Sequence, residues 1–182
     1  MEKSTGKLQW RVLYTKPRSE KKAYDMLIGK GYTAYLPCTT VIRQWSDRKK
    51  KILEPLFKSY VFIRCKENQI GSAANDDTIV TVVRFEGRPA IIREKEMEVI
   101  RKIEAGIEDD DVEVVNQVLI SGEKVKIMGG KLKGLSGVLT EFRGAHRVAI
   151  RIESLGCNII VEVLSKYINK EIEPNRQRKE GG

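Results

Sequence analysis

The N-terminal part of the chain combines a strand-like pattern of apolar positions with a helix-like one. The sequence LQWRVLYT, residues 8–15, alternates apolar and polar positions, which predicts a strand with Trp10 and Tyr14 on one face. After Ser19, which is suited to an N-cap, apolar side chains recur at helical spacing. The pattern stops at Gly31, where a helix-terminating glycine belongs. We therefore expect a strand followed by a helix.

Extended segments surround a basic turn in residues 33–65. TAYLPC and TVIRQW precede the basic run and KILEPL follows it, which predicts a hairpin with its tip at about residues 46–50. SYVFIRC predicts a strand with Tyr60 and Phe62 on one face and Val61 on the other. Because both faces are apolar, we expect either helices on both sides of this strand or a partner surface on one side.

A second helix is predicted near residue 100. ENQIGSAAN indicates a short helix or loop, and TIVTVVRF indicates a strand that ends near Gly87. From Arg93 onward, glutamates fill the first turns, where negative charge suits the helix dipole. The apolar stripe of this helix consists of Met97, Ile100 and Ile103. The order of strands and helices predicts an α+β module.

The C-terminal part of the chain shows only strand patterns. Strands are predicted at about residues 124–128, 137–142, 147–152 and 158–163, with glycine-marked turns between them. A segment of this size buries little apolar surface on an open sheet, so we expect a small closed all-β barrel. Residues 171–182 are polar, and we expect them to be disordered.

Charge divides the chain into two basic modules and an acidic connection. Residues 8–104 form the first module, and residues 1–104 contain 22 Lys/Arg and 13 Asp/Glu. Residues 105–118 contain five acids and no base, which predicts a linker. Residues 119–170 form the second module, with nine bases and four acids. Two basic modules favour a polyanionic partner, and the alternative is that the charge serves solubility.

Several classes of protein find no support in the sequence. No apolar stretch is long enough to span a membrane, and the N-terminus lacks a signal-peptide pattern, so we expect a cytoplasmic protein. The three cysteines are far apart and predict reduced thiols. We expect no enzyme, no catalytic residues, no cofactor and no metal site, because hydrolase, zincin and nucleotide-binding motifs are absent. The aspartates at 109–111 are adjacent, whereas hard-cation sites gather ligands from spaced positions.

The glycines of the second module resemble a known motif. The sequence from GEKVKI to GKLKGLSGV resembles the KOW motif, although Lys131 stands where that motif usually has proline. Glycine permits the positive φ and close backbone approach that a strongly curved sheet requires. The positions that carry the resemblance are Gly122, Val125, Gly130, Gly134 and Gly137.

Three segments of the first module resemble the NGN domain of NusG transcription elongation factors. They are WRVLY, EPLFKSYVF and VRFEGRPA, and their order and spacing agree over about residues 8–168. The resemblance implies an antiparallel sheet flanked by helices, followed by a KOW barrel. In detail, the first module resembles the specialised RfaH and UpxY-type antitermination factors, which implies a role in transcription of particular operons.

The resemblance implies how such a protein binds its polymerase. An exposed apolar pocket on the NGN domain would bind the clamp helices of RNA polymerase through Trp10, Tyr14, Phe57 and Tyr60. Aromatic side chains suit this role because they bury a large area with few rotatable bonds. The alternative is a KOW-type RNA-binding or ribosome-associated protein that acts without polymerase. The first reading requires the aromatic set to be exposed, and the alternative requires it to be buried.

Further partners follow from the same resemblance. Non-template or upstream DNA would be bound by Lys16, Arg18, Lys21 and Lys22, at the start of the first helix. Ribosomal protein S10 or the termination factor Rho would bind a loop that contains Ser154, Leu155 and Gly156. We expect a monomer. The glycine content of the second module disfavours refolding into helices.

Overall fold

The computed structural model describes residues 6–44, 48–106, 112–115, 122–142 and 145–170. The predicted disordered tail, residues 171–182, and the aspartates at 109–111 lie outside the described residues. Helices of the first module are α1 (Glu20–Gly29), α2 (Ile70–Ala74) and α3 (Glu94–Gly106). Its strands are β1 (Gln9–Thr15), β2 (Thr33–Tyr35), β3 (Cys38–Gln44), β4 (Lys49–Pro55), β5 (Tyr60–Cys65), β6 (Ile79–Val82), β7 (Arg84–Phe85), β8 (Arg88–Pro89) and β9 (Ile91–Ile92).

The main sheet of the first module has the order β2-β5-β1-β6, and β9 also pairs with β1. The pairs of β1 with β5, β6 and β9 are all antiparallel, as is the pair of β2 with β5. The hairpin of β3 and β4 forms a separate two-stranded sheet, with Gln44 opposite Lys49. The predicted basic hairpin is therefore confirmed, while residues 45–47 at its tip lie outside the described residues.

Helix α1 ends as its sequence predicts but begins differently. Gly31 has a φ of 80°, and its N–H donates to the carbonyl of Ile28 at 2.9 Å, which closes the helix. Ser19 directly precedes the helix, yet its side chain makes no capping hydrogen bond. The prediction of Ser19 as a side-chain N-cap is therefore wrong. The carboxylate of Glu20, in the first turn, instead accepts the backbone N–H of Ser59 at 2.7 Å.

Both faces of β5 are packed, as its apolar pattern predicts. Val61 and Ile63 are buried against Ala23 and Leu27 of α1. On the opposite face, Phe62 joins a cluster that includes the predicted stripe of α3. All these side chains are fully buried, and each of them except that of Ala23 contributes about 1.5–3 kcal/mol through removal of apolar surface from water. Helices on both sides of the strand therefore account for much of its apolar character.

The second module contains the four predicted strands and two others. Its strands are β10 (Val112–Val115), β11 (Lys124–Ile127), β12 (Ser136–Phe142), β13 (Ala145–Ile152), β14 (Cys157–Glu162) and β15 (Ile168–Lys170). Their order is β10-β14-β13-β12-β11-β15, and every pair is antiparallel. In the described part of the chain the outer strands β10 and β15 are not paired with each other. Closure into a barrel by hydrogen bonds is therefore not confirmed.

Strand β10 lies within the segment predicted to be a linker. Its sequence is VEVV, so apolar residues occupy three of its four positions. The strand pairs with β14, with Val114 opposite Ile159. Part of the predicted linker, residues 112–115, is therefore a strand of the second sheet.

The glycines of the β11–β12 connection have conformations that favour glycine. Gly130 and Gly134 have φ values of 69° and 90°. The N–H of Gly134 donates to the carbonyl of Ile127 at 2.7 Å, which fixes the return of the chain. At Gly137 an added Cβ would lie 2.5 Å from the carbonyl oxygen of Ala149. These three positions therefore require glycine for turn geometry or close strand approach.

The two modules share one apolar core. The cluster on the α3 face of the first sheet continues into the second module through residues such as Val125, Ile152 and Val161. Gly106 at the end of α3 lies against the side chain of Leu132. None of the helices in the described ranges is long and apolar enough to cross a membrane.

Candidate functional site

Trp10 is held inside the first module. Its side chain is 5% exposed, and its indole N–H donates to the Glu94 carboxylate at 3.1 Å. The guanidinium of Arg101 lies 5.5 Å from the centre of its ring. Hydrogen bonding to Arg101 lowers the pKa of Glu94, which keeps this acceptor ionised. The expected exposure of Trp10 is therefore wrong, because α3 folds back over this end of β1.

The other three aromatic residues of the predicted set come together. The rings of Tyr14 and Tyr60 meet edge to face with centres 5.8 Å apart. The rings of Phe57 and Tyr60 are nearly parallel, with centres 6.5 Å apart. Tyr14 is 38% exposed, Tyr60 is half-buried and Phe57 is only 2% exposed. We call Tyr14, Phe57 and Tyr60 the aromatic ladder.

The aromatic ladder lines a recess of about 510 Å³ beside the foot of the β3–β4 hairpin. Val112 and Val114 of β10 form part of the same recess. Phe57 also packs edge to face on Phe62, with ring centres 5.4 Å apart. The expected exposure of Phe57 is thus wrong, because Phe57 lies in the turn between β4 and β5 and packs on Phe62 and the surrounding core cluster.

The predicted partner loop is docked on α3. Residues Glu153–Leu155 form a 3₁₀ turn, and Gly156 closes it with a φ of 65°. Ser154 donates its backbone N–H to the Glu96 carboxylate at 3.0 Å and its hydroxyl to the same group. Arg93 contacts Glu153 at 3.0 Å. Leu155 is half-buried against the shared core, so the loop is engaged within the molecule.

The charge state of Glu96 supports this docking. Burial acts to raise the pKa of Glu96, but hydrogen bonds from Ser154 and from the backbone of Arg93 outweigh burial and lower that pKa. Glu96 is therefore an ionised acceptor at neutral pH. Hydrogen bonds to a charged acceptor are stronger than those between neutral groups, so this contact contributes to holding the modules together.

The four predicted DNA-binding cations are all exposed. Lys16 and Arg18 lie in the loop before α1, and Arg18 has a φ of 62°, a conformation uncommon outside glycine. Lys21 and Lys22 follow in the first turn of the helix. The four side chains therefore belong to the start of α1 and the loop that precedes it.

The amino terminus of α1 is not itself an open anion site. The carboxylate of Glu20 occupies its first turn and is buried, with the backbone N–H of Ser59 as its donor. A phosphate at that position would approach a negative charge. The exposed lysine and arginine side chains, and not the helix terminus, are consequently the groups that could bind a phosphate backbone here.

The thiols and the lone histidine form no reactive group in the described part of the chain. Cys38, Cys65 and Cys157 are free thiols. Burial raises the pKa of Cys157 to about 11, so that thiol is protonated at neutral pH. His146 lies in β13. No cluster of three or more metal-ligating side chains occurs among the residues that the structure describes.

The first module matches a known family of proteins. A family model described as "Transcription termination factor nusG" matches residues 8–101, which is more than half of the chain. This family consists of transcription factors. The chain belongs to the NusG family.

Solved structures agree with this assignment at the level of the fold. NusG of Thermotoga maritima, from a study of its domain interaction, matches with a TM-score of 0.56 at 21% sequence identity. The match covers 90% of this chain and 97% of that one. A chain of the MjSpt4:Spt5 complex in conformation A matches at 13% identity, covering 89% and 97% of the two chains, but its TM-score of 0.31 supports no structural argument.

Proposed function

We propose that this chain is a transcription elongation and antitermination factor that binds RNA polymerase through the aromatic ladder of its first module. The observation that carries the proposal is the convergence of Tyr14, Phe57 and Tyr60 on one recess. Large aromatic side chains grouped in a pocket are typical anchors of protein interfaces. The resemblance to RfaH and UpxY-type factors supports processive transcription of particular operons as the outcome.

The proposal gives different roles to the members of the predicted set. Tyr14 and Tyr60 retain accessible surface and would contact the clamp helices of the polymerase directly. Phe57 would form the floor of the recess. Trp10 would support the site structurally without contacting the polymerase, because its contacts with Glu94 and Arg101 fix β1 beneath α3.

Binding of the polymerase requires β10 to leave the recess. Val112 and Val114 border the aromatic ladder, so a polymerase helix that enters the recess would displace them. The ion pair between Arg93 and Glu153 is exposed on both sides, and such pairs contribute little. We call the packing of the two modules against each other the closed arrangement. It depends mainly on apolar contacts and on Glu96. We infer that polymerase and the second module compete for the aromatic ladder.

Opening of this arrangement would also release the partner loop. Ser154 would lose its acceptor Glu96, and Leu155 would lose its packing against the shared core. A loop that is freed only when the modules separate would bind ribosomal protein S10 or Rho after the polymerase has been bound. Non-template or upstream DNA would lie along Lys16 and Arg18, which are exposed beside α1.

A transcription assay across a Rho-dependent or intrinsic terminator tests the proposal. The wild-type chain is expected to increase read-through, and the variant with Tyr14→Ser and Tyr60→Ser is expected to lose that effect. Leu53→Ser is the matched control, because Leu53 is an exposed apolar residue that lies outside the recess. Equal read-through with the wild type and the double variant would exclude the ladder as the functional surface.

A second candidate function is supported by the burial of Trp10 and Phe57. Burial is what a KOW-type RNA-binding or ribosome-associated protein would require of these residues. In that case the chain would have no effect on read-through, yet it would sediment with ribosomes or with RNA. The same assay, with ribosome sedimentation as a second readout, therefore separates the two candidates.

A further inference from the structure

The turn between β4 and β5 carries the floor of the recess and leads directly into Tyr60. It consists of residues 56–59, and the N–H of Tyr60 donates to the carbonyl of Phe57 at 3.3 Å. Ser59 in this turn has a φ of 60°, a conformation that is uncommon for residues other than glycine. Because Ser59 lies between Phe57 and Tyr60 in the chain, its backbone conformation determines how their two rings face each other. The planes of these rings are only 7° apart.

Both backbone polar groups of Ser59 are bound by other elements of the first module. Its N–H donates to the Glu20 carboxylate at 2.7 Å, and its carbonyl accepts the N–H of Thr15 at 2.8 Å. Glu20, Ser59 and Thr15 are 7%, 8% and 0% exposed, so water has little access to these bonds. Glu20 begins α1 and lies 39 residues from Ser59 in the sequence, so its contact ties the helix to the turn.

The acceptor on Glu20 explains how an uncommon backbone conformation persists at Ser59. A buried N–H that loses its acceptor is costly, so a turn without Glu20 would rearrange until that N–H found another partner. Backbone held in a sparsely populated conformation by its surroundings is concentrated at functional sites. Here it lies directly beside two members of the aromatic ladder.

We propose that Glu20 is a positioning residue of the polymerase-binding surface: its carboxylate holds Ser59 in the left-handed conformation that places Tyr60 beside Phe57 before the polymerase binds. This role rests on the proposed function. A preformed surface binds more tightly, because the apparent affinity falls in proportion to the fraction of molecules in the binding-competent conformation. Glu20 is buried and acts through the turn without contacting the polymerase.

NMR of the isolated chain tests whether Glu20 sets the geometry of the turn. A residue with positive φ has its own amide and Hα protons close together, so wild-type Ser59 should give a strong NOE between them. The rings of Phe57 and Tyr60 should also give NOEs to each other. Glu20→Ala is expected to weaken both signals, whereas Glu20→Gln keeps an oxygen acceptor and should retain them. Asp25→Ala, at an exposed acid of the same helix, is the matched control.

Equilibrium binding of RNA polymerase by the same chains tests whether this geometry matters for function. If Glu20→Ala leaves about one tenth of the molecules with the wild-type turn, its affinity should fall about tenfold. The loss of affinity should match the fraction that NMR measures, which a loss of global stability alone would not produce. Glu20→Gln should recover most of the affinity that Glu20→Ala loses, and Asp25→Ala should bind like the wild type.

Substitutions at position 59 test the same role with Glu20 left in place. Ser59→Thr adds a β-branched side chain, which disfavours positive φ, and is expected to weaken polymerase binding. Ser59→Gly adopts positive φ without steric cost, so in the Glu20→Ala background it should restore part of the affinity. Glycine at this position would not rescue binding if Glu20 only stabilised the fold. The comparison of Ser59→Thr with Ser59→Gly decides the matter if Glu20→Ala does not fold.

The outcomes separate this inference from the proposed function. Wild-type NOEs or wild-type polymerase affinity in a correctly folded Glu20→Ala would overturn the positioning role, and so would equal binding by Ser59→Thr and Ser59→Gly. Loss of binding by Tyr14→Ser with Tyr60→Ser, together with unchanged binding by Glu20→Ala, would support the proposed function and refute the positioning role. If the wild-type chain did not bind polymerase while the NOEs changed as expected, the proposed function would fail and Glu20 would still be the residue that sets the turn.

Discussion

Glu96 is the side chain through which α3 holds the partner loop. It accepts two hydrogen bonds from Ser154 and a third from the backbone of Arg93. The neighbouring Glu98 lies on the same helix but is exposed and has no role at the junction. The pair of glutamates therefore offers one position that affects the closed arrangement and one that serves as its control.

Glu96→Ala is expected to raise the affinity of the chain for RNA polymerase. The substitution removes the acceptor for both Ser154 donors, so the closed arrangement loses stability and the aromatic ladder is uncovered more often. Glu98→Ala should leave the affinity unchanged. Titration of labelled polymerase with the three chains measures the effect. An affinity of Glu96→Ala that equals the wild-type value would show that this contact does not control access to the ladder.

The same carboxylate makes the closed arrangement sensitive to pH. Because the folded-state pKa of Glu96 lies below its ordinary value of 4.5, its contribution to stability is complete above that value and is lost as pH falls through the lowered pKa. The difference in unfolding free energy between wild type and Glu96→Gln should therefore be largest at neutral pH and shrink in acid. Denaturant unfolding at a series of pH values measures this difference. A difference that grows in acid would contradict the assignment.

Phe57 and Tyr60 should respond differently to truncation. Phe57 is buried and packs on Phe62, so Phe57→Ala is expected to lower the unfolding free energy by about 3–5 kcal/mol. Tyr60→Ser should cost less, because Tyr60 is only half-buried. Denaturant unfolding of both variants checks this order. If Phe57→Ala were as stable as the wild type, the burial of Phe57 described above would be wrong.

At the scale of elements, the close approach of two strands in the second module requires a glycine. Gly137 lies where β12 and β13 approach, and an added Cβ would be 2.5 Å from the carbonyl oxygen of Ala149. Gly71 lies in α2 with open space around it. Gly137→Ala should therefore destabilise the chain by about 1–3 kcal/mol through overpacking. Gly71→Ala should be neutral or stabilising, because alanine favours helix. Thermal unfolding of both variants tests this contrast, and equal melting temperatures would contradict it.

The elements that could be predicted from sequence are those with strong local signals. α3 combines an apolar stripe with acidic first turns, and β5 carries a continuous apolar pattern. Strand β10 was not predicted, because three valines next to an acidic run give a weak local signal and the partner strand β14 is distant in sequence. The same reason applies to the recess of the aromatic ladder, since Val112 and Val114 of that strand line it.

The candidate site was predicted through the resemblance to the NGN domain. The segments WRVLY and EPLFKSYVF supplied the members of the aromatic ladder, and the structure brings Tyr14 and Tyr60 together on the adjacent strands β1 and β5. The position of Trp10 beneath Arg101 could not be predicted, because the sheet and α3 are brought together only by tertiary packing.

At the scale of the whole molecule, the packing of the two modules involves both candidate binding surfaces. Val112 and Val114 of β10 lie in the same recess as the aromatic ladder, and the partner loop is held on α3 through Glu96. A ligand that binds only the open arrangement shifts the equilibrium toward it by its differential affinity. In this account polymerase favours the open arrangement.

The central claim is that the aromatic ladder binds RNA polymerase, and equilibrium binding of purified polymerase tests it most directly. The wild-type chain is compared with the variant that carries Tyr14→Ser and Tyr60→Ser, and Leu53→Ser, at an exposed apolar position, serves as the control. The account predicts that the double variant binds at least about tenfold more weakly while the control binds like the wild type. Wild-type affinity in a correctly folded double variant would contradict the account.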